Sequence, residues 1–543
     1  MQIEPYVSLP KPPLARDYLE RFERVASLYE YDLRDAGAER RRVVWLDEAR
    51  GEIAADREAI AKAVADYNRR VGNAPEAVDA ALSLASPVTL AVAGGQQGGL
   101  FGGPMLTLFK AVTILQEARE RSLRLGRPVV PVFWIAGEDH DWDEVNHTYV
   151  QSPEGGVTKL RMRRPADAPR ASVSAIGLPE ENWREALEEL RANLPDTEFK
   201  PAMLDALRSG DGDSLTFSFA RLLAALFGKH GLVLVDSADP ALRRLESKAF
   251  ARILRRNREI EAALAEGEAE VRSLGYEPQL AVQPGQANVF LLHEGERTLL
   301  FRDGAVYRNR RGTLACSEDE LLALADEEPE RFSNNVVTRP WMQDVLFPTV
   351  SVVLGPSEIA YWGMLRGVFA ALGGQMPILV PRLEFTLIEG TVQKAMRKFG
   401  LSAADAMQSL DEKQAGWLAA QDGYRFADRL AEVKRQVAEL YAPIVRDAEE
   451  VNPGLRKLAE TNLDKIGQQI DFFAAKAEDA LKTRHEAALR QWDRIRHAFL
   501  PLGKPQERVY NGSVFLNKYG TDWLHELTAA NIPRDGVHRF VYI

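Results

Sequence analysis

Between Val92 and Lys110 the chain reads VAGGQQGGLFGGPMLTLFK, a short apolar strand that runs into a glycine-crowded bend and then into a helix. That order puts backbone N–H groups at a helix start, where they and the helix dipole favour a bound phosphate or carboxylate. A second strand, Val129 to Ala136, ends in GEDHDWDEVNH, which crowds carboxylates and two imidazoles into one turn. Two neighbouring strand ends therefore both point to a nucleotide-type pocket.

At 543 residues, of which 45% are apolar, the chain exceeds what one hydrophobic core supports and should fold as two or more units. Its formal net charge of -10 provides no basic field for a polyanion, which disfavours a nucleic-acid partner. Cys316 is the single cysteine, so an intramolecular disulfide and a thiolate-rich zinc or iron–sulfur site are excluded, and a reducing cytoplasm fits best. The first residues lack a basic segment followed by an apolar one, and no run approaches the ~20 apolar residues of a membrane span. A protein that is neither exported nor membrane-bound is expected.

Residues 1–86 read as a helical lead-in, with LERFERVASLY and IAKAVADYNRRV at helical spacing. Strand Val88 to Ala93, helix Pro104 to Arg121, strand Val129 to Ile135, helix Ser214 to Lys229, strand Leu232 to Val235 and a long helix from Asp239 then alternate. Strand Val350 to Leu354, helix Ser357 to Ala371 and strand Ile378 to Val380 continue the series. This alternation predicts an α/β fold with a Rossmann-like parallel sheet spanning residues 87–400. Insertions interrupt it near 148–213, with a hairpin of Thr148 to Val150 and Val157 to Met162, and near 265–345. In the second insertion, Val289 to Tyr307 reads as antiparallel strands turning at Glu294-Gly295 and Asp303-Gly304.

From 401 to 500 the periodicity becomes that of a helical coiled-coil domain: Phe426, Leu430, Val433, Val437, Leu440 and Ile444 step by four and three. Pro443 should kink or end that helix, and Asn452-Pro453-Gly454 marks a turn. A second pattern from Leu455 to Phe499 would make a helix roughly 65 Å long. Its partner covers only part of it, so a homodimer through this coil is the economical completion, and helices within 403–420 closing an intramolecular bundle are the alternative. Residues 501–543 return to mixed strand and loop character and should pack back on the core.

Four segments, GGQQGGLFGGP at Gly94 to Pro104, PVFWIAGEDHDWDEVNH at Pro131 to His147, LGPSEIAYWGML at Leu354 to Leu365 and PILVPR at Pro377 to Arg382, occur in an order and spacing that resemble the cysteine-adding BshC family of bacillithiol biosynthesis. The resemblance spans essentially the whole chain, including PQER at Pro505. It implies a core related to class I aminoacyl-tRNA synthetases with a coiled-coil dimerisation domain. It also implies that cysteine is joined to glucosamine–malate. Amide formation from a carboxylate requires activation, which the related synthetases achieve with ATP, so ATP with magnesium is the expected co-substrate. No histidine here is followed by x-Gly-His, and Lys394 to Lys398 reads as ordinary helix in place of a KMSKS loop. By position, Gly94, Gly95, Gln96, Gln97 and Gly98 stand where the first of those motifs would be, offering N–H donors and two neutral amides.

The expected site follows. Gly94, Gly95, Gln96, Gln97, Gly98 and Ser357 take the nucleotide. Asp141, His140, His147 and Glu144 are the catalytic candidates, with a general base toward the attacking amine among them. Asp139, Asp143, Trp362 and Arg382 contact substrate, with Arg382 on a carboxylate at the sheet rim. The competing structural readings are close packing for the glycines, an N-cap for Asp141 or Asp143, core for Trp362 and a solvated surface for Lys110. No metal site is expected, because His140 and His147 lack the spacing of a helical zinc pair. A degenerate synthetase-like scaffold that senses a nucleotide and recruits a protein through its coil is the alternative function.

Overall fold

Five parallel strands organise the larger part of the molecule. The computed structural model describes residues 2–6, 9–153, 155–166, 168 and 170–543. The strands are β1 (Leu90–Gln96), β2 (Val129–Ile135), β3 (Val233–Asp236), β4 (Thr349–Leu354) and β5 (Ile378–Pro381), side by side in the order β5-β4-β1-β2-β3. This is the doubly wound order, and its reversal falls between β1 and β4, where open α/β sheets place their ligands. β2 reads VVPVFWI with every residue buried, as a sheet covered on both faces demands. It runs in step with β1, from Leu90 opposite Val129 to Gln96 opposite Ile135. The segments that follow these two strands therefore emerge next to each other.

The insertions fold as antiparallel sheets, as the alternation predicts. His147–Gln151 pairs with Val157–Arg161. Gln286–His293, Glu296–Asp303 and Val306–Asn309 form a meander, flanked by Ala315–Ser317 and Phe332–Asn334. Residues 1–387 with 504–543 make one compact unit, and residues 388–503 make a second. In the first, Gln2–Tyr6 pairs antiparallel with His538–Tyr542, which lies beside Glu384–Ile388.

Several sequence expectations change. The first strand continues through Gln96, so Gly94 and Gly95 lie inside the sheet and not in the bend. The following helix begins at Leu106, after a turn in which Phe101, Gly102 and Gly103 all have positive φ. The helix expected from Asp239 is three segments, Pro240–Leu245, Ser247–Arg255 and Asn257–Ser273. The one expected over Ser357 to Ala371 stops at Trp362 and resumes at Arg366, with Gly363 at the break packed closely against Tyr29 and Leu14. Residues Ser513–Tyr519, expected as strand or loop, are helical.

In the second unit Phe426–Val451 and Leu455–Arg484 form a long helical hairpin. Pro443 does not end the first helix, because it sits on an exposed face where solvent can take the carbonyl it leaves unpaired. The second helix breaks at His485 and continues as Glu486–Phe499. Leu410–Gln421 packs only at the base of this hairpin, with Trp417 edge-on to His485 and near Trp492.

Candidate active site at the ends of the first two strands

Gln97 leaves β1 and reaches across to the loop that leaves β2. Its Nε2 donates to Asp139 Oδ2 and to Glu144 Oε2, each at 2.9 Å. Two carboxylate acceptors use both amide protons and leave the Gln97 carbonyl oxygen as the free group. Among the described residues the Glu144 carboxylate has no partner besides Gln97. Asp139 also accepts from the backbone N–H of His140 at 2.7 Å. The glutamine-bearing bend and the acidic cluster are thus in direct contact.

The β1 and β4 ends are joined by a buried cation. Lys110 Nζ donates to Gly95 O (2.6 Å), to Gln96 Oε1 (3.2 Å) and to Glu358 Oε2 (2.7 Å), and Glu358 in turn accepts from Gly355 N. Lys110 is 1% exposed, not the solvated lysine that its sequence suggests, because its helix is covered on both sides. Burial lowers its pKa against the pull of Glu358.

His140 has a defined role through its neighbour. Arg297, from the inserted meander, places Nη1 3.1 Å from His140 Nδ1. An arginine only donates, so Nδ1 must accept and the proton must sit on Nε2. Burial and the Arg297 charge both lower the His140 pKa and keep the ring neutral. With Arg297 donating to Nδ1, the ring of His140 is left to donate through Nε2. His147 has the opposite arrangement. Its Nδ1 lies 3.1 Å from the Asp143 carbonyl, which can only accept, so the unprotonated nitrogen is Nε2. Burial, then Lys159, lower its pKa.

Other candidates are held elsewhere. Arg382 is not at the rim: it is 3% exposed, donates twice to Glu507 at 2.6 and 3.0 Å and once to Leu383 O, and fastens the C-terminal segment to β5. Trp362 is fully buried against Phe369 and is core. Asp141 caps the short Trp142–Val145 helix through Glu144 N, and Asp143 is an exposed partner of Arg161. Ser357 is exposed at the start of the Pro356–Trp362 helix, where the capping contact comes from Glu358.

The glycines mostly serve packing. A side chain on Gly94 would meet Ile114 Cδ1 at 2.8 Å, and one on Gly98 would meet Thr216 Cγ2 at 2.8 Å. The bend offers few donors, since Gly99, Gly102 and Gly103 N–H groups bond carbonyls within the bend itself. The helix start is covered as well. Met105 N donates to Tyr510 O, while Asn511 Nδ2 bonds the carbonyls of Phe101 and Gly103. This bend does not fit a nucleotide triphosphate as an open amide cradle, so phosphates would have to be held by side-chain cations.

Sequence reasoning missed Arg297 and took a solvated surface lysine as the default for Lys110, which is buried. Arg297 is 8% exposed at its side chain, lies 3.7 Å from the Phe290 ring centre, and donates to Ser333 Oγ and Asn334 O. Nothing in HEGERTLLF separates it from the chain's many arginines. Glu138 is structural: it receives Arg243 and Asn334 N in the interior, where burial pushes nearby Glu246 up to about 8. Among the described residues no three His, Cys, Asp or Glu side chains converge on a metal-sized point.

The parallel sheet and the helical hairpin define a Rossmann-like α/β protein carrying a coiled-coil unit. Residues 1–383 match the family model for the N-terminal Rossmann-like domain of bacillithiol biosynthesis BshC, and residues 385–543 match its C-terminal coiled-coil domain. Relatives named "Putative cysteine ligase BshC" include one from Symbiobacterium thermophilum, 38% identical with 100% of both chains covered. Another, from Bacillus cytotoxicus, is 34% identical over 98% of this chain and 99% of its own, and one from Geobacillus thermodenitrificans is 35% identical over 98% of each. The chain belongs to the BshC family. Among the described residues no helix is long and apolar enough to cross a membrane.

Proposed function

We propose that this chain is a cytoplasmic ligase that joins the carboxylate of cysteine to the amine of glucosamine–malate, with ATP and magnesium activating the carboxylate. The observation that carries the reading is Gln97 held between Asp139 and Glu144, which builds one polar crevice from two adjacent strand ends in a family whose curated members are named as cysteine ligases. An ammonium or attacking amine fits the two carboxylates. Glu144, with no other partner among the described residues, is the group to accept its proton. The His140 Nε2–H supplies a neutral donor for oxygen in the developing tetrahedral centre. Lys110, whose three N–H groups go to Gly95 O, Gln96 Oε1 and Glu358, ties the β1 and β4 ends together beneath this site.

Purified protein given cysteine, glucosamine–malate and ATP should form the thiol product, read by mass spectrometry. It should also exchange pyrophosphate into ATP only when cysteine is present. Gln97→Ala and Glu144→Gln should each lower turnover by ~10²-fold, the usual scale for a positioned acid–base group. Unchanged turnover in both variants would place the chemistry elsewhere.

The closed glycine bend favours a second reading, a degenerate synthetase-like scaffold that acts through its coil without catalysis, for which product formation and exchange would both be absent. For the helical unit we propose a homodimer. Val433, Leu440, Ile444, Leu458, Phe472 and Phe473 are all more than 40% exposed along its hairpin, the apolar surface that a second copy would cover.

A further inference from the structure

With Arg382 committed to Glu507, the crevice needs another group for an anionic substrate, and the inserted meander supplies one. A cavity of about 440 Å³ opens on its outer face and reaches His140. That volume lies within the ~300–1,000 Å³ usual for small-molecule sites. Four arginines, 170, 297, 310 and 311, face two glutamates, 294 and 296, around it, so a local positive field stands out on a chain of net charge -10.

The partners of these groups leave donors to spare. Arg311 pairs with Glu296 at 2.9 Å, which neutralises one of each sign. Arg310 bonds the neutral Gln283 side chain and lies 5.0 Å from the Phe301 ring centre, so its charge is uncompensated by that contact. Arg297 uses three of its five N–H groups, on Ser333, Asn334 and His140, is fixed in place by them and by Phe290, and has Asp139 3.8 Å away to offset part of its charge. The exposed Arg170 side chain has no hydrogen-bond or ion-pair partner among the described residues, while its carbonyl accepts from Arg297 N and ties the two segments together. His293 Nε2 is buried without a partner at the same cavity. Convergent guanidiniums with unspent donors are the chemistry that recognises carboxylate or phosphate pairs.

We infer that this cavity seats the anionic end of a small substrate, a dicarboxylate or a diphosphate, and delivers the rest of that molecule past His140 and Asp139 to Gln97. The assignment deepens the proposed ligase reading and rests on it for the reaction, but the binding itself does not depend on turnover. The two sources of such an anion are the malate end of the acceptor and the phosphates of ATP.

The test is calorimetric titration of the full chain with malate alone and with pyrophosphate alone, repeated on Arg170→Ala and Arg310→Ala. Arg490→Ala, on an exposed surface of the helical unit, is the control. One anion should bind five- to tenfold more weakly to both cavity variants and unchanged to the control, and its identity tells which source occupies the cavity. The corresponding substrate should show a raised KM with kcat within twofold. Absence of binding by either anion, or binding that neither cavity variant weakens, overturns the inference. Arginine-dependent binding by a protein without ligase activity would count against the proposed reaction and leave the cavity assignment standing.

Discussion

The large unit and the helical unit treat charged and oily side chains in opposite ways. In the large unit Arg42, Arg243 and Arg382 are each at most 3% exposed, paired with Asp344, Glu138 and Glu507. In the helical unit the ion pairs, such as Arg435 with Glu432 and Lys482 with Glu478, stand in solvent, while Leu440 and Phe472 are 73% and 60% exposed. Buried pairs stabilise little in net terms, but removing one member leaves an uncompensated charge inside; exposed pairs matter little either way. The contrast teaches that the large unit takes its charges into its own core, whereas the hairpin leaves both its ion pairs and its large apolar side chains in solvent.

Breaking the Arg382–Glu507 pair should have the largest effect. Glu507→Ala is expected to cost about 3–5 kcal/mol by chemical denaturation, and the double variant Arg382→Met with Glu507→Leu should recover most of it. A small cost for the single change would mean that the large unit tolerates internal ions as easily as the hairpin does.

Acid should sharpen the comparison next. Burial lowers the His538 pKa to about 4 against an ordinary 6.5, and its Nε2 meets Thr386 Oγ1 at 2.9 Å. The unfolded chain then binds that proton more readily than the folded one, so stability is lost as pH falls from about 6.5 toward 4, by roughly 3 kcal/mol for this group. His538→Gln should flatten that slope in the large unit. A slope unchanged by the substitution would remove His538 as its cause.

The smallest effect on stability should come from the hairpin. Leu440→Asp and Phe473→Asp should shift the melting of the large unit by less than ~0.5 kcal/mol, as surface changes do. Under the homodimer proposal, sedimentation would show the same proteins as monomers. A wild-type chain that is already monomeric would end that proposal.

Where a residue's role follows from its neighbours along the chain, it was legible. VVPVFWI could only be a buried parallel strand, and Asn452-Pro453-Gly454 could only reverse the hairpin. The contact of Gln97 with the acidic loop followed from strand adjacency. What stayed hidden was set across long separations. Lys110 and Arg382 looked exposed because nothing nearby announces Glu358 or Glu507, and the glycine bend looked open because Tyr510 and Asn511 cover it from the far end of the sequence. Pro443 misled for the opposite reason: an exposed helix face tolerates the lost bond.

The partner of Arg382 arrives 125 residues after it. At translation rates of about 5–20 residues per second, a nascent chain would hold that guanidinium with Glu384 but without Glu507 for roughly 6–25 seconds, with β1's following helix still uncapped. The parallel sheet can thus assemble on the ribosome in outline only, and its locking waits for the last stretch to leave the exit tunnel.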